Sequence, residues 1–290
     1  PIVNAINNGL NANNISKFMG IFNGTSNFIL SKMTHEQTTF KDALEEAQRL
    51  GFAEADPTDD VEGVDAARKV VITSYLSFNQ VIKLNDVKSV GISDITLADI
   101  NAASALNYKI KLIGKGTYEN GYVNASVEPT LIHKNHQLAA VEKEYNAIYV
   151  IGDAVGDTMF YGKGAGSLAT GSAVVSDLLN VALFFESNLH TLPPHFESKT
   201  EETKEMMDGA EPVVIQEKSN YYIVISNSNK SLGKVEYDIK KKLPFHKSLQ
   251  LVERDQDTYA IIVTGIETSP EKVLNQSGFN IKKVYPVEGV

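Results

Sequence analysis

Two adjacent prolines constrain this chain more than any other feature. Pro193 and Pro194 stand in Thr191-Leu192-Pro193-Pro194-His195 and lead into the charged run Glu197-Ser198-Lys199-Thr200-Glu201-Glu202-Thr203-Lys204-Glu205. Neither proline can donate a backbone N–H, so helix and ladder both stop there. The run beyond has no apolar periodicity, and residues 191–212 read as a linker between two units. Two units are also what 290 residues predict. Charge divides at the same place. The chain carries a net −9, yet residues 211–290 hold 11 basic and 10 acidic side chains, so the negative charge lies in the first part.

An acidic chain without a basic stripe lacks what neutralising nucleic-acid phosphates requires. There is no cysteine, which excludes disulfides, zinc–thiolate sites, iron–sulfur clusters and thiol nucleophiles together. No apolar run approaches the ~18–20 residues of a membrane helix, and the first residues have no signal-peptide pattern. A cytoplasmic protein is the expectation. The chain opens on Pro1-Ile2-Val3 without an initiator methionine, and reads as a piece cut in mid-strand.

In the first unit, Phe40, Ala43, Leu44, Ala47 and Leu50 recur at helical spacing and predict one buried stripe over Phe40 to Leu50. Thr39 with Asp42 reads as a capping box, and Gly51 as the left-handed cap. Further helices are predicted over Val61 to Ser77 and Leu97 to Leu106. A hairpin is predicted from Tyr108 to Lys115 and Tyr122 to Val127, turning at Glu119-Asn120-Gly121. Helices mixed with hairpins predict an α+β fold around a mixed open sheet.

The last eighty residues change rhythm. Strands are predicted at Tyr221 to Ile225, Leu249 to Glu253, Thr258 to Val263 and Ile281 to Pro286, with helices over Leu232 to Leu243 and Pro270 to Gln276, the latter ended by Gly278. Strand–helix–strand–strand–helix–strand is the ferredoxin-like order. By size and position the tail, residues 213–290, resembles an ACT domain, an amino-acid-sensing module, and is expected to fold independently.

Six carboxylates fall in the twelve positions from Glu54 to Asp65, ahead of Arg68-Lys69. Asp65 and Lys69 are four apart and share a helix face. A calcium loop of the EF-hand type fails, since Val61 stands where glycine is required. Two readings stay open from the residues. One is a solvated acidic loop with a routine helical ion pair. In the other, Lys69 moves a proton to or from a substrate oxygen, Asp65 orients it, and Glu54 or Asp60 grips a cationic group.

A second glycine cluster, Gly162-Lys163-Gly164-Ala165-Gly166-Ser167, precedes a helix of small residues. Gly164-x-Gly166-x-x-Ala169 matches a loose dinucleotide fingerprint, but no second βαβ unit follows, so it is not a complete Rossmann motif. Close packing of a helix on a strand is the competing reading. His133 and His136 are three apart and would share a helical turn. They lack a third ligand nearby, and a surface pair is the favoured reading.

Gly51-Phe52-Ala53-Glu54-Ala55-Asp56-Pro57, Asp60, Gly63-Val64-Asp65 and Ala67-Arg68-Lys69, with Gly20-Ile21-Phe22-Asn23-Gly24-Thr25-Ser26-Asn27-Phe28-Ile29-Leu30 upstream, resemble the homoserine dehydrogenases over residues 1–190. The resemblance implies interconversion of L-homoserine and L-aspartate 4-semialdehyde with NAD or NADP, in threonine, methionine and isoleucine biosynthesis, by a homodimer. It gives Lys69 and Asp65 as catalytic residues. Glu54, Asp60, Thr25 and Gly24 become substrate-binding, although Gly24 and Thr25 also fit a plain helix N-terminus. Gly164 and Gly166 become cofactor-binding. The family's nucleotide-binding domain, its second lysine and a sodium-binding loop are not in these residues, so the piece is expected to be inactive alone. The competing class is a non-catalytic amino-acid-binding regulatory module, with an amino-acid effector at the ACT-like tail.

Overall fold

The computed structural model describes residues 2–186, 219–226, 231–243, 246–256, 258–266, 269–275 and 279–289. The expected linker at 191–212, the expected cap Gly278 and turn residue Asp257 lie outside the described residues. Helices are α1 (Ile2–Asn4), α2 (Gly24–Glu36), α3 (Phe40–Arg49), α4 (Thr58–Val61), α5 (Val64–Phe78), α6 (Leu97–Ala105), α7 (Ser167–Glu186), α8 (Leu232–Lys242) and α9 (Pro270–Asn275). Strands are β1 (Ile15–Ile21), β2 (Lys88–Ser89), β3 (Tyr108–Glu119), β4 (Tyr122–His133), β5 (Tyr145–Gly152), β6 (Gly156–Lys163), β7 (Ser219–Ser226), β8 (Ser248–Asp255), β9 (Thr258–Ile266) and β10 (Ile281–Glu288).

All ten described strands join one mixed sheet, ordered β6-β5-β1-β3-β4-β10-β7-β9-β8 with β2 beside β4. The hairpin β3–β4 is its spine, paired without a slip from Tyr108 opposite His133 to Glu119 opposite Tyr122. Asn120 and Gly121 take φ of 51° and 87°, the doubly left-handed turn that matches strand twist. The two chain portions meet at a parallel seam of two residue pairs, Val287 with Leu131 and Glu288 with Ile132. The open mixed sheet expected from sequence is present, but it spans both portions.

Alternation along β1 sends Phe18 to the larger core beneath the helices, and Met19 and Ile21 to the opposite face. On the first side lie Ile29, Leu30 and Met33 of α2, Ala43 and Ala47 of α3, and Val70 of α5. The cap on α3 forms as expected, with Asp42 N donating to Thr39 Oγ1 at 3.2 Å. Leu50 departs from the expected stripe and is 47% exposed, because the helix ends at Arg49 and the chain turns away at Gly51, φ 78°. The helix expected over Val61 to Ser77 is two helices. Gly63, φ 79°, breaks it, a conformation that costs glycine little and other residues much. The expected strand opening at Pro1-Ile2-Val3 is replaced by a helical turn over Ile2–Asn4. His133 ends β4 against Tyr108, and His136 begins a separate turn against Tyr149, so the two share no helix.

The four C-terminal strands bury both faces. Ile223, Ile225, Ile261 and Val263 pack with Val235 and Ile239 of α8, whereas Tyr222, Val224, Ala260, Ile262, Tyr285 and Val287 join the core of the first portion. This second face runs against the expectation of an independently folded tail. An ion cluster lies on the same boundary. Asp99, fully buried in α6, accepts from Arg254 Nε of β8 at 2.8 Å and from Lys283 Nζ of β10 at 2.7 Å. It also accepts from Thr96 N at 3.0 Å, closing the capping box of α6. Burial acts to raise the Asp99 pKa, but Arg254 and Lys283 outweigh it and hold the carboxyl below its ordinary range.

Asp99→Asn leaves the partly buried Lys283 without its anion and Arg254 with Asp255 alone, and is expected to lower unfolding free energy by up to about 3–5 kcal/mol, the usual cost of breaking a buried pair, read from urea titrations. Because the folded pKa is depressed, the parent's share of this stability is complete above ~3.9, the ordinary Asp value. It is lost as pH falls through the folded value, and Asp99→Asn should remove that acid dependence.

Candidate functional site

The carboxylates of residues 54–65 take separate tasks once folded. Asp56 Oδ1 accepts from Thr58 Oγ1 at 2.6 Å, Asp59 pairs with Arg68 at the surface, and Glu62 accepts from the Ser93 hydroxyl. Asp60 and Asp65 turn inward toward the junction of β1 and α2. Glu54 stays exposed.

At that junction Asn23 uses both ends of its amide. Its Oδ1 accepts from Ser26 N at 2.8 Å and caps α2. Its Nδ2 donates to Asp60 Oδ1 at 2.7 Å and Asp65 Oδ2 at 2.9 Å. Two carboxylates are thereby drawn to one donor at the head of a helix, where the macrodipole favours negative charge. Lys69, one turn after Asp65 on α5, donates to the same Asp65 Oδ2 at 2.7 Å and to the Phe22 carbonyl at 3.1 Å. An ammonium has three donors; two are taken, and the side chain is 46% exposed, so one N–H faces outward. Asn23 did not enter the expected site set, though its Asn-Gly-Thr context before a helix is a capping signal.

The loop before α4 is tied to this junction. Thr25 Oγ1 donates to the Phe52 carbonyl at 2.7 Å, and Phe52 packs on Phe28 at 4.8 Å between centroids. Gln48 Nε2 holds the Glu54 carbonyl at 3.0 Å. Glu54 therefore leaves an anchored loop, and among the described residues its carboxylate has no hydrogen bond or ion pair. Gly24 is needed for close approach, since a Cβ there would stand 2.6 Å from the Glu144 carbonyl. Gly24 and Thr25 start α2, next to the Asn23 that holds the two carboxylates.

The glycine turn 162–166 lies on the other side of the same junction. A Cβ on Gly164 would come 2.2 Å from Asn146 Nδ2, and Asn146 in turn donates to the Phe22 carbonyl at 3.3 Å. The space at Gly164 is thus taken by a side-chain amide and not by a helix packed on a strand, since α7 is exposed along nearly its whole length. Gly166 has φ of 110° with open space around it, directly before the N-terminus of α7. Backbone N–H groups at such a helix start donate readily to an anion. Among the described residues no group of His, Asp and Glu is arranged to hold a metal ion, and no helix is long and apolar enough to cross a membrane.

A lysine paired with a carboxylate, an anchored acidic loop and a glycine turn thus meet around one junction. The homoserine dehydrogenase family model matches residues 1–179, and the model of the homoserine dehydrogenase C-terminal domain matches residues 218–290. The chain belongs to the homoserine dehydrogenase family. It is 52% identical over 181 residues to homoserine dehydrogenase of Bacillus subtilis (strain 168), a match over 62% of this chain. That match spans only 42% of the relative's length. A crystal structure of S. aureus homoserine dehydrogenase superposes with a TM-score of 0.84 at 71% identity, covering 96% of this chain and 66% of that one. A hyperthermophilic archaeal homoserine dehydrogenase mutant in complex with NADPH superposes with a TM-score of 0.54 at 28% identity, covering 63% of this chain and 52% of that one.

Asn23→Asp separates the two tasks of this side chain. It keeps an oxygen to cap α2 but replaces the donor with a third carboxylate beside Asp60 and Asp65. Thermal unfolding in the range pH 5–8 should show a loss several times the few tenths of a kcal/mol expected at a solvated acidic loop. Asn23→Ser, which caps without adding charge, should be milder.

Proposed function

We propose that this chain is the substrate-binding and regulatory part of an NAD(P)-dependent homoserine dehydrogenase, acting between L-homoserine and L-aspartate 4-semialdehyde in threonine, methionine and isoleucine synthesis. The observation that carries the proposal is the Lys69 ammonium, fixed by Asp65 and the Phe22 carbonyl with one N–H directed outward. A non-catalytic amino-acid-binding module gives no reason for holding a cation half exposed at the meeting of an acidic loop and a glycine turn.

In the proposed chemistry Lys69 stands against the substrate's reacting oxygen. As the carbonyl becomes an alcohol, negative charge grows on that oxygen, and an ammonium at hydrogen-bond distance stabilises and then protonates it. In the reverse direction the same group takes the proton. Asp65 orients the ammonium and favours its charged form. Glu54, with its carboxylate unpaired, is assigned to the substrate's amino group, with Asp60 beside it. Gly24 and Thr25 form the wall at the head of α2.

A bound nicotinamide cofactor, NAD or NADP, supplies or accepts the hydride. The residues here fit part of such a group: the open backbone at Gly166 and the α7 N-terminus suit a phosphate, and Gly164 lies beside the Lys69 junction. The described residues include no βαβ unit for the rest of a dinucleotide, so its main grip is assigned to a separate nucleotide-binding domain. Helix α7 supports that assignment, since Leu168, Leu178, Leu179, Leu183 and Phe185 are each at least 60% exposed and offer an apolar seat. The sodium ion of the family resemblance is assigned to no residue here, and no step involves it.

The domain assignment stays as the sequence implied: residues 1–190 for substrate and dimerisation, 191–212 as linker, and 213–290 as an ACT-like unit. The order β10-β7-β9-β8, antiparallel throughout, with α8 and α9 on one face, supports a ferredoxin-like unit, and the amino-acid effector of the ACT resemblance is assigned to it. Edge strand β6, with Met159 and Tyr161 exposed, supports a homodimer through the first portion.

In the full-length gene product, Lys69→Ala is expected to lower kcat by ~10²–10⁴, and Asp65→Asn to lower it as well. Glu54→Ala should chiefly raise the KM for homoserine, because the amino group it holds stays cationic throughout. A folded Lys69→Ala enzyme with near-normal kcat would defeat the assignment. These 290 residues alone should give no more than trace homoserine-dependent reduction of NAD or NADP.

A further inference from the structure

One side chain outside the expected set touches three parts of the site. Asn146, near the start of β5, donates Nδ2 to the Phe22 carbonyl at 3.3 Å. That carbonyl is the one accepting Lys69 Nζ at 3.1 Å. The same amide fills the space left by Gly164, where a Cβ would lie 2.2 Å from Nδ2, and its Oδ1 would be 3.3 Å from a Cβ on Gly24. Oδ1 is buried and, among the described residues, has no hydrogen-bond partner. A buried acceptor left unpaired weakens a fold, and a leucine of nearly the same shape would avoid the loss. Packing alone therefore gives no reason for an amide at this position.

We infer that Asn146 is a positioning residue for Lys69. Its N–H and the Lys69 ammonium share one oxygen, so the Phe22 peptide is held from two sides and cannot rotate without breaking both bonds. The direction of the outward Lys69 N–H is set by that peptide together with Asp65. Because the amide is wedged against Gly164, the glycine turn and the proton-transferring lysine are fixed relative to one another through a single side chain. The inference rests on the assignment of Lys69 as the proton-transferring group. It accounts for glycine at 164 and for the tolerated unpaired oxygen together.

The test uses the full-length gene product with Asn146→Leu and Asn146→Asp, each also combined with Lys69→Ala. Leucine removes both polar groups and keeps the volume; aspartate keeps the shape and removes the N–H. Both should fold by circular dichroism, and Asn146→Leu should melt no lower than the parent. Both should lower kcat ~10-fold or more, as misplacement of a reacting group does, with little change in the homoserine KM and a displaced limb of the kcat–pH profile. In the Lys69→Ala background neither should cause further loss, because the group they position is gone. Parental kcat in a folded Asn146 variant overturns the inference. So does an undiminished loss in the Lys69→Ala background while Lys69→Ala itself is crippled, which leaves the Lys69 assignment intact. Normal turnover by Lys69→Ala alone would remove the assignment and the inference with it.

Discussion

Helix α2 is buried along most of its length, including Ser26, Asn27 and Ser31, and a helix so placed must satisfy its polar groups within the protein. Asn27 does so by donating to three carbonyls where one loop enters β5, those of Val141, Lys143 and Tyr145, at 3.3, 2.9 and 3.1 Å. Its Oδ1 accepts from Lys111 at 3.1 Å. Lys111 is 2% exposed, and burial pushes its pKa down to about 8. Glu142 faces it; burial raises this carboxyl, but Lys111, Lys109 and Ser31 outweigh that and bring it to about 2. Loop and helix are thus locked together. The lock places the Glu144 carbonyl over Gly24 and Asn146 beside the Phe22 carbonyl. The geometry around Lys69 follows from a polar residue in a buried helix.

The parts legible in sequence were those with a local signature. Thr39 before Asp42 announced α3, and Asn120-Gly121 announced the hairpin. Leu232, Val235, Ile239 and Leu243 announced the C-terminal helix. Asp65 and Lys69, four apart, were legible because helix geometry alone brings them together. The remaining features needed contacts between distant residues. Asn23 meets Asp60 and Asp65 across 37 and 42 positions of chain, and Asn146 reaches Phe22 across 124. No periodicity records such distances. Gly164 shows the limit from the other side, since a fingerprint-like spacing turned out to house a neighbouring amide. Leu50 failed for a local reason, because a helical stripe ends where the helix does.

The two portions of the chain were legible separately and not in their union. Alternation in β7, β9 and β10 shows two apolar faces, and each needs a cover. Helices α8 and α9 cover one face. The other is covered by residues far upstream, through α6 and the Asp99 cluster. Asp99 could not be singled out from sequence, because it stands at the N3 position of an ordinary capping box. Only its burial shows that the same carboxylate also neutralises Arg254 and Lys283.

The seam between β4 and β10 has a mechanical meaning. Along the sheet, twelve paired positions join β3 to β4, but two join β4 to β10. Bending stiffness of a ladder grows with its number of rungs, so the sheet is most compliant at this line. A load on the C-terminal strands would not travel along the ladder. It would pass through the shared apolar core and through two ion clusters, Arg254 and Lys283 on Asp99 and Lys17 and Lys115 on Glu288, and the strength of those clusters depends on solvent and pH rather than on strand length.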